Sequence, residues 1–224
     1  MTAGTPPPVI AIDGPSASGK GTVAQRVATA LGYHYLDSGA LYRVVAVAAK
    51  QSGIAWNDGA ALAPLAAALD IRFNSDEIYL NQSVVTNSVR SEDGGIGASQ
   101  VAVWPAVRAA LLDRQRAFRQ APGLVADGRD MGSAVFPDAR LKIYLTADAE
   151  TRAERRYKQL IGKGMDANMA ALLQELRARD ERDSQRAAAP LKKTDDARLL
   201  DTTHLSIDAA VEAVLARYKA VTQL

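Results

Sequence analysis

The segment VIAIDGPSASGKGT, residues 9–22, decides the reading of the whole chain. Its first part, within Pro8 to Asp13 (PVIAID), is a short apolar run of the kind that forms a strand buried on both faces of a parallel sheet. A glycine-rich turn follows, and a helix is expected from about Gly19 to Leu31. A loop between a buried strand and a helix N-terminus is the setting in which backbone N–H groups cradle phosphate oxygens. Gly14, Pro15, Ser16, Ala17, Ser18, Gly19, Lys20, Gly21 and Thr22 are therefore the candidate triphosphate cradle. The glycines let the amides turn inward, and Lys20 brings a full positive charge to the β- and γ-phosphates. The usual pattern follows its lysine directly with Ser or Thr. Here Gly21 intervenes, and the hydroxyl available to a Mg²⁺ ion is that of Thr22.

Outward from this loop the chain alternates strand and helix, the grammar of a parallel sheet covered by helices. A second strand is expected at about His34 to Leu36, and Asp37-Ser38 caps a helix running to about Gln51. Between about residues 58 and 103 the pattern changes. A short Ala-rich helix (Gly59–Leu69) leads into alternating segments around Ile71–Asn74, Ile78–Asn81 and Val84–Val85, which predict a small, half-exposed antiparallel sheet. Pro105 then opens a helix to about Arg119. GLVAD (Gly123–Asp127) and Leu141–Leu145 predict the third and fourth core strands. Helices follow at about Asp148–Leu160 and Asp166–Ala187, joined by IGKGM, whose glycines flank Lys163 as in a hinged lid over about residues 155–166. A strand at about Leu199–Asp201 and a helix at Ser206–Thr222 end the pattern.

Composition narrows the function. The 224 residues suit one α/β domain, residues 1–224, carrying an insertion. Net charge is only +2, too balanced for a protein that reads nucleic-acid phosphates over a large face. Arginine nevertheless outnumbers lysine 19 to 8, a bias that favours bidentate grip on small phosphorylated ligands. The absence of cysteine excludes thiolate metal sites and fits a reducing compartment. Met1 to Pro8 has no signal-peptide pattern, and no run approaches the ~20 apolar residues of a membrane span. A cytoplasmic monomer with small-molecule partners is expected.

A loop that binds a phosphoryl donor needs a second site for an acceptor. Three clusters offer one: Asp37-Ser38-Gly39-Ala40-Leu41-Tyr42-Arg43; Asp127-Gly128-Arg129-Asp130-Met131-Gly132; and Arg179, Asp183 and Arg186, whose spacing places them on one helical face. Each has a plainer reading. Asp37 serves as a helix cap, Tyr42 as a core aromatic, and the alternating charges around Arg179 as a solvated, salt-bridged face. Asp127 is positioned either to reach a metal through water or to bond loop amides. Arg43 and Arg129, placed just after strands, are harder to read as plain surface charges, and both could grip one acceptor phosphate.

Taken together, IDGPSASGKGT, LDSGALYR, ASQVAVWPAVR, GLVADGRDMG and RARDERDSQR closely resemble the bacterial cytidylate kinases over nearly the whole chain. The resemblance implies an α/β, three-layer P-loop NTPase fold with a central parallel sheet. It also implies a small antiparallel monophosphate-binding insertion and a short lid. It implies transfer of the γ-phosphate of ATP to CMP or dCMP, with Mg²⁺. Carried over position by position, Arg43 and Arg129 hold the acceptor phosphate. Ser99, Arg108, Asp130 and Arg186 contact cytosine; Tyr42, Arg179 and Asp183 face the ribose; Ser38 lies near the acceptor. Arg155 and Arg156 are candidates for γ-phosphate contacts. Asp93-Gly94-Gly95-Ile96-Gly97 is more glycine-rich than the resemblance suggests, and is expected to loosen the insertion around Ser99. The rivals are another small-molecule kinase on this fold, a GTPase switch, or a nucleic-acid-binding module. The chain lacks the Asn-Lys-x-Asp guanine motif of the GTPases.

Overall fold

A computed structural model of the chain describes residues 6–74, 77–162 and 164–222. Lys163 at the expected lid tip, and the first five residues of the Met1–Pro8 segment, lie outside these. The chain divides into two compact units, one containing residues up to Leu36 and from Phe118 onward, the other Asp37–Ala117.

The larger unit is built on a five-stranded sheet of β1 (Val9–Asp13), β2 (His34–Asp37), β6 (Leu124–Gly128), β7 (Leu141–Thr146) and β8 (Arg198–Asp201), in the order β2-β6-β1-β7-β8. β1 occupies the centre and pairs in parallel with β6 and β7, while β7 pairs in parallel with β8. Every residue of β1 and of β6 is buried, as their apolar runs predict, including the carboxylates Asp13 and Asp127. Ile10, Ile12, Val125, Ile143 and Leu145 pack with Val23 and Val27 of α1 (Lys20–Leu31) and Val211, Val214 and Tyr218 of α9 (Ile207–Thr222). α1 ends because Gly32 adopts a left-handed conformation (φ 65°), and its N–H closes on the carbonyls of Ala28 and Thr29. α7 (Ala149–Ile161) is N-capped by Asp148. α8 covers Met169–Gln185 and stops before Arg186, whose extended backbone takes it off the helix. The expectation that Arg179, Asp183 and Arg186 share one helical face thus holds only for the first two.

The smaller unit contains the antiparallel sheet β3 (Ile71–Asn74), β4 (Glu77–Leu80) and β5 (Ser83–Val84); only β4 alternates between buried and exposed residues, and β3 and β5 are largely exposed. Its helices are α2 (Ser38–Gln51), α3 (Gly59–Ala68), α4 (Thr86–Arg90), α5 (Glu92–Val101) and α6 (Pro105–Arg116). α4 and α5 are absent from the sequence reading. Ser91 caps α5 by accepting the Gly94 N–H at 3.0 Å, with Glu92 and Asp93 in the first turn, a start signal that three nearby glycines conceal. Those glycines pack tightly rather than loosen the unit. A methyl group on Gly97 would lie 2.7 Å from both the Ala46 Cβ and the Trp56 ring, and one on Gly94 would lie 2.6 Å from the Ser88 carbonyl oxygen. Small side chains are what allow α5 to lie this close to α2. Gly97→Ala is expected to destabilise the protein by about 1–3 kcal/mol through overpacking, despite the higher helix propensity of alanine. Urea titration checks this, and unchanged or increased stability would contradict the packing argument.

Among the described residues no single helix is long and apolar enough to cross a membrane.

Candidate active site

The parallel sheet brings the ends of β1, β6, β7 and β8 to one edge of the larger unit. Gly14 leaves β1 so close to β7 that a Cβ would collide with the Leu145 carbonyl oxygen. Only glycine fits this departure. Ala17 and Gly19 then take left-handed conformations (φ 56° and 88°), which curl the loop before α1 begins. The loop carbonyls are bound from within the loop and from outside it. The Pro15 carbonyl accepts from the Ser18 hydroxyl at 3.0 Å and from Lys20 Nζ at 3.3 Å. The Ser16 carbonyl accepts from Arg152 at 3.1 Å. The Ser18 carbonyl accepts from Arg155 and from the Thr202 hydroxyl, each at 3.2 Å. Satisfying carbonyls in this way leaves the opposite side of the loop for N–H groups and an anion.

Sequence reasoning did not single out Arg152 or Thr202. Arg152 is buried and donates to the Ala147 carbonyl, the Ser16 carbonyl and the Asp180 carboxylate. Nothing in its spacing separates it from Arg155 and Arg156; only the fold does. Arg155, a candidate for γ-phosphate contact, spends its guanidinium on Ser18 and Thr202. Arg156 stands on α7 with one guanidinium nitrogen 2.9 Å from the Gln159 side-chain oxygen.

The segment after β6 forms the second part of this edge. Arg129 donates from Nε to Asp183 at 2.7 Å and from a terminal nitrogen to the Ser16 hydroxyl at 2.9 Å. It therefore ties the phosphate loop to α8. Burial works against its charge, but Asp183 more than reverses the effect and raises its pKa above the usual arginine range. Burial likewise opposes the charge on Asp183, yet Arg129 and Arg179, and then Arg186, hold its carboxyl below the usual range. Asp130 is buried, with the Arg186 guanidinium 3.7 Å from its Oδ1, while Arg186 Nε donates to the Ala189 carbonyl at 2.7 Å. This run is a buried charged cluster, and the reading of it as a solvated face fails at Asp183 and Arg186.

Asp127 accepts the Tyr35 hydroxyl at 3.0 Å, and its other oxygen lies 3.6 Å from where a Cβ on Gly21 would sit. A carboxylate beside the start of α1, with the exposed Thr22 hydroxyl one residue beyond Gly21, is an all-oxygen donor set that fits a largely hydrated Mg²⁺.

The smaller unit holds the remaining expected residues. Asp37 caps α2 through the Ala40 N–H, and Ser38 is buried in the first turn. The Arg108 guanidinium lies over the Tyr42 ring, 5.6 Å from its centroid, so these two expected contacts adjoin. Ser99 is buried on α5. Arg43 donates to the carbonyls of Val89 and Ser91 at 3.0 and 3.1 Å, across the break between α4 and α5.

A phosphate loop beside a buried arginine–carboxylate cluster is a phosphoryl-transfer arrangement, and a profile described as cytidylate kinase matches residues 10–220. The chain belongs to the cytidylate kinase family. The cytidylate kinase of Chromobacterium violaceum is 61% identical over 208 residues, covering 93% of this chain and 94% of that protein. That of Pseudomonas aeruginosa is 59% identical over 214 residues, covering 93% of each. Among solved structures, a gluconokinase from Sinorhizobium meliloti 1021 superposes with a TM-score of 0.51, covering 97% of this chain and 94% of that one. Its sequence is 16% identical, so it supports the fold alone. For a cytidylate kinase chain, the residue most readily overlooked in the sequence is Asp13. A carboxylate ending a strand that is otherwise apolar and buried is the signal that marks it.

Proposed function

We propose that the protein transfers the γ-phosphoryl group of ATP to CMP or dCMP, yielding ADP and CDP or dCDP. The observation that carries this reading is family membership across nearly the whole chain, joined to a phosphate loop whose carbonyls are already held.

ATP lies with its β- and γ-phosphates on the N–H groups of the loop residues after Pro15 and on Lys20. An oxygen of the acceptor phosphate attacks the γ-phosphorus in line. The bond from the γ-phosphorus to the bridging oxygen breaks, and ADP leaves with that electron pair. No general base is needed, because the attacking phosphate is already anionic. Rate enhancement comes from alignment and from charge stabilisation by Lys20, Arg43, Arg129 and Arg156. Thr22 and Asp127 would hold a Mg²⁺ ion on the protein side, and the ion would supply charge neutralisation at the transferring phosphates.

By the family resemblance, Arg43 and Arg129 serve the acceptor's phosphate, Tyr42, Arg179 and Asp183 its ribose, and Ser99, Arg108, Asp130 and Arg186 cytosine, with Ser38 nearby. Cytosine offers an exocyclic amine beside a ring-nitrogen acceptor. Asp130 accepts from the amine, and arginine donates to the ring nitrogen and carbonyl. Uracil inverts part of that pattern and would leave buried polar groups unpaired, a mismatch that discriminates strongly. Insertion 58–103 and lid 155–166 exclude water from the transferring phosphoryl group. The substrates are soluble nucleotides, which suits a monomeric cytoplasmic enzyme without nucleic-acid or membrane partners.

An ADP-release assay with ATP and Mg²⁺, offering CMP, dCMP, UMP, AMP and GMP separately, tests this. Preferential turnover of CMP and dCMP is expected. Turnover led by AMP or UMP would overturn the base assignment, and no turnover with any monophosphate would overturn the function.

A further inference from the structure

Asp13 closes β1 immediately before Gly14, and the chemistry above makes no use of it. Its side chain is buried, and both carboxylate oxygens accept backbone hydrogen bonds: Oδ1 from the Met131 N–H and Oδ2 from the Gly132 N–H, each at 2.8 Å. These amides directly follow Asp130 and open a single π-helical turn, Met131–Val135. The strand register produces the contact. Asp13 pairs with Gly128 in β6, so the chain leaving β6 turns beside the end of β1 within two residues of Arg129 and Asp130. Burial pushes the Asp13 carboxyl up to about 6, against the two amides that pull it down, so it remains ionised at pH 7.5.

We propose that Asp13 is a positioning residue for base selection: by holding the amides of Met131 and Gly132 it fixes the turn that aims Asp130 and Arg129 at the acceptor. The inference rests on the reading of Asp130 as the cytosine contact. An aspartate suits this task because two amides need two acceptor oxygens on one short, rigid stem. Asparagine offers one oxygen and one NH₂ group, and that NH₂ would face an N–H of the turn. One amide is left unpaired and the turn moves.

The test is to purify Asp13→Asn and Asp130→Ala beside the parent protein and measure kcat and KM for CMP and for UMP, KM for ATP, and Tm. Asp13→Asn is expected to lower the CMP-over-UMP ratio of kcat/KM at least tenfold, with KM for ATP within about twofold of the parent. A residue that only supports the fold would lower Tm and turnover of both nucleotides without moving that ratio. If Asp130→Ala collapses the ratio and Asp13→Asn preserves it, the proposal is overturned while the reading of Asp130 stands. If neither variant moves the ratio, the reading of Asp130 falls and this proposal falls with it. Gly132→Ala provides a second route should Asp13→Asn not fold. Its methyl group would lie 3.1 Å from the Lys142 side chain and 3.5 Å from Asp13 Oδ2, crowding the Asp13 contact at the turn itself. A lowered ratio supports the proposal, and an unchanged ratio at reduced Tm overturns it.

Discussion

Replacing Lys20 with alanine is expected to lower kcat by about 10²–10³-fold, the usual effect of deleting one preorganised charge-stabilising group from a transition state. The ammonium donates to the Pro15 carbonyl, while Arg152, Arg155 and Thr202 hold the Ser16 and Ser18 carbonyls. The loop should therefore keep its shape without Lys20. Tm is expected to stay within about 2 °C of the parent, because a partly exposed lysine contributes less than about 1 kcal/mol to stability. Steady-state kinetics with saturating CMP, beside a thermal melt, check both parts. A kcat within threefold of the parent would remove Lys20 from the chemistry.

Arg129→Ala should act on stability and catalysis together. Arg129 pairs at 2.7 Å with Asp183, which is almost fully buried, and it also holds the Ser16 hydroxyl. Removing one member of a buried pair leaves an uncompensated charge and typically costs about 3–5 kcal/mol. Arg179 and Arg186 still act on Asp183, so the low end, about 3 kcal/mol, is expected. In a chain of this size that corresponds to a fall in Tm of about 6–12 °C. Activity should show a raised KM for CMP and a kcat lower by about 10²-fold, since a misplaced acceptor phosphate loses its alignment. Arg129→Lys should recover part of the stability and little of the activity, because a point charge replaces the fork that spans Asp183 and Ser16. Equal recovery of both would argue that charge alone matters at this position.

How far the sequence reveals this arrangement depends on the range of the interactions involved. β1, the phosphate loop and α1 are legible because their signals are local: an apolar run, two glycines and a lysine, and a helix start. β6 and β7 follow from the same apolar-run logic. α4 is a five-residue helix too short to show a periodic pattern, and α5 is not legible because its glycines indicate flexibility until Ala46 and Trp56 are seen packed against Gly97. Arg186 is singled out on a helical spacing that the helix does not sustain; its approach to Asp130 comes from the turn after α8. Arg152, Thr202 and Asp13 depend on partners more than a hundred residues away, which no local pattern can supply.

The outward carbonyls of the phosphate loop have an entropic consequence. A loop rich in small residues would ordinarily lose conformational freedom when its ligand arrives, and that loss would subtract from affinity. Here two arginines and a threonine from α7 and from the turn after β8 impose the ordering as the chain folds. ATP then meets a receptor already in its binding shape. The ordering cost appears in the stability of the fold and leaves the dissociation constant of the nucleotide largely untouched.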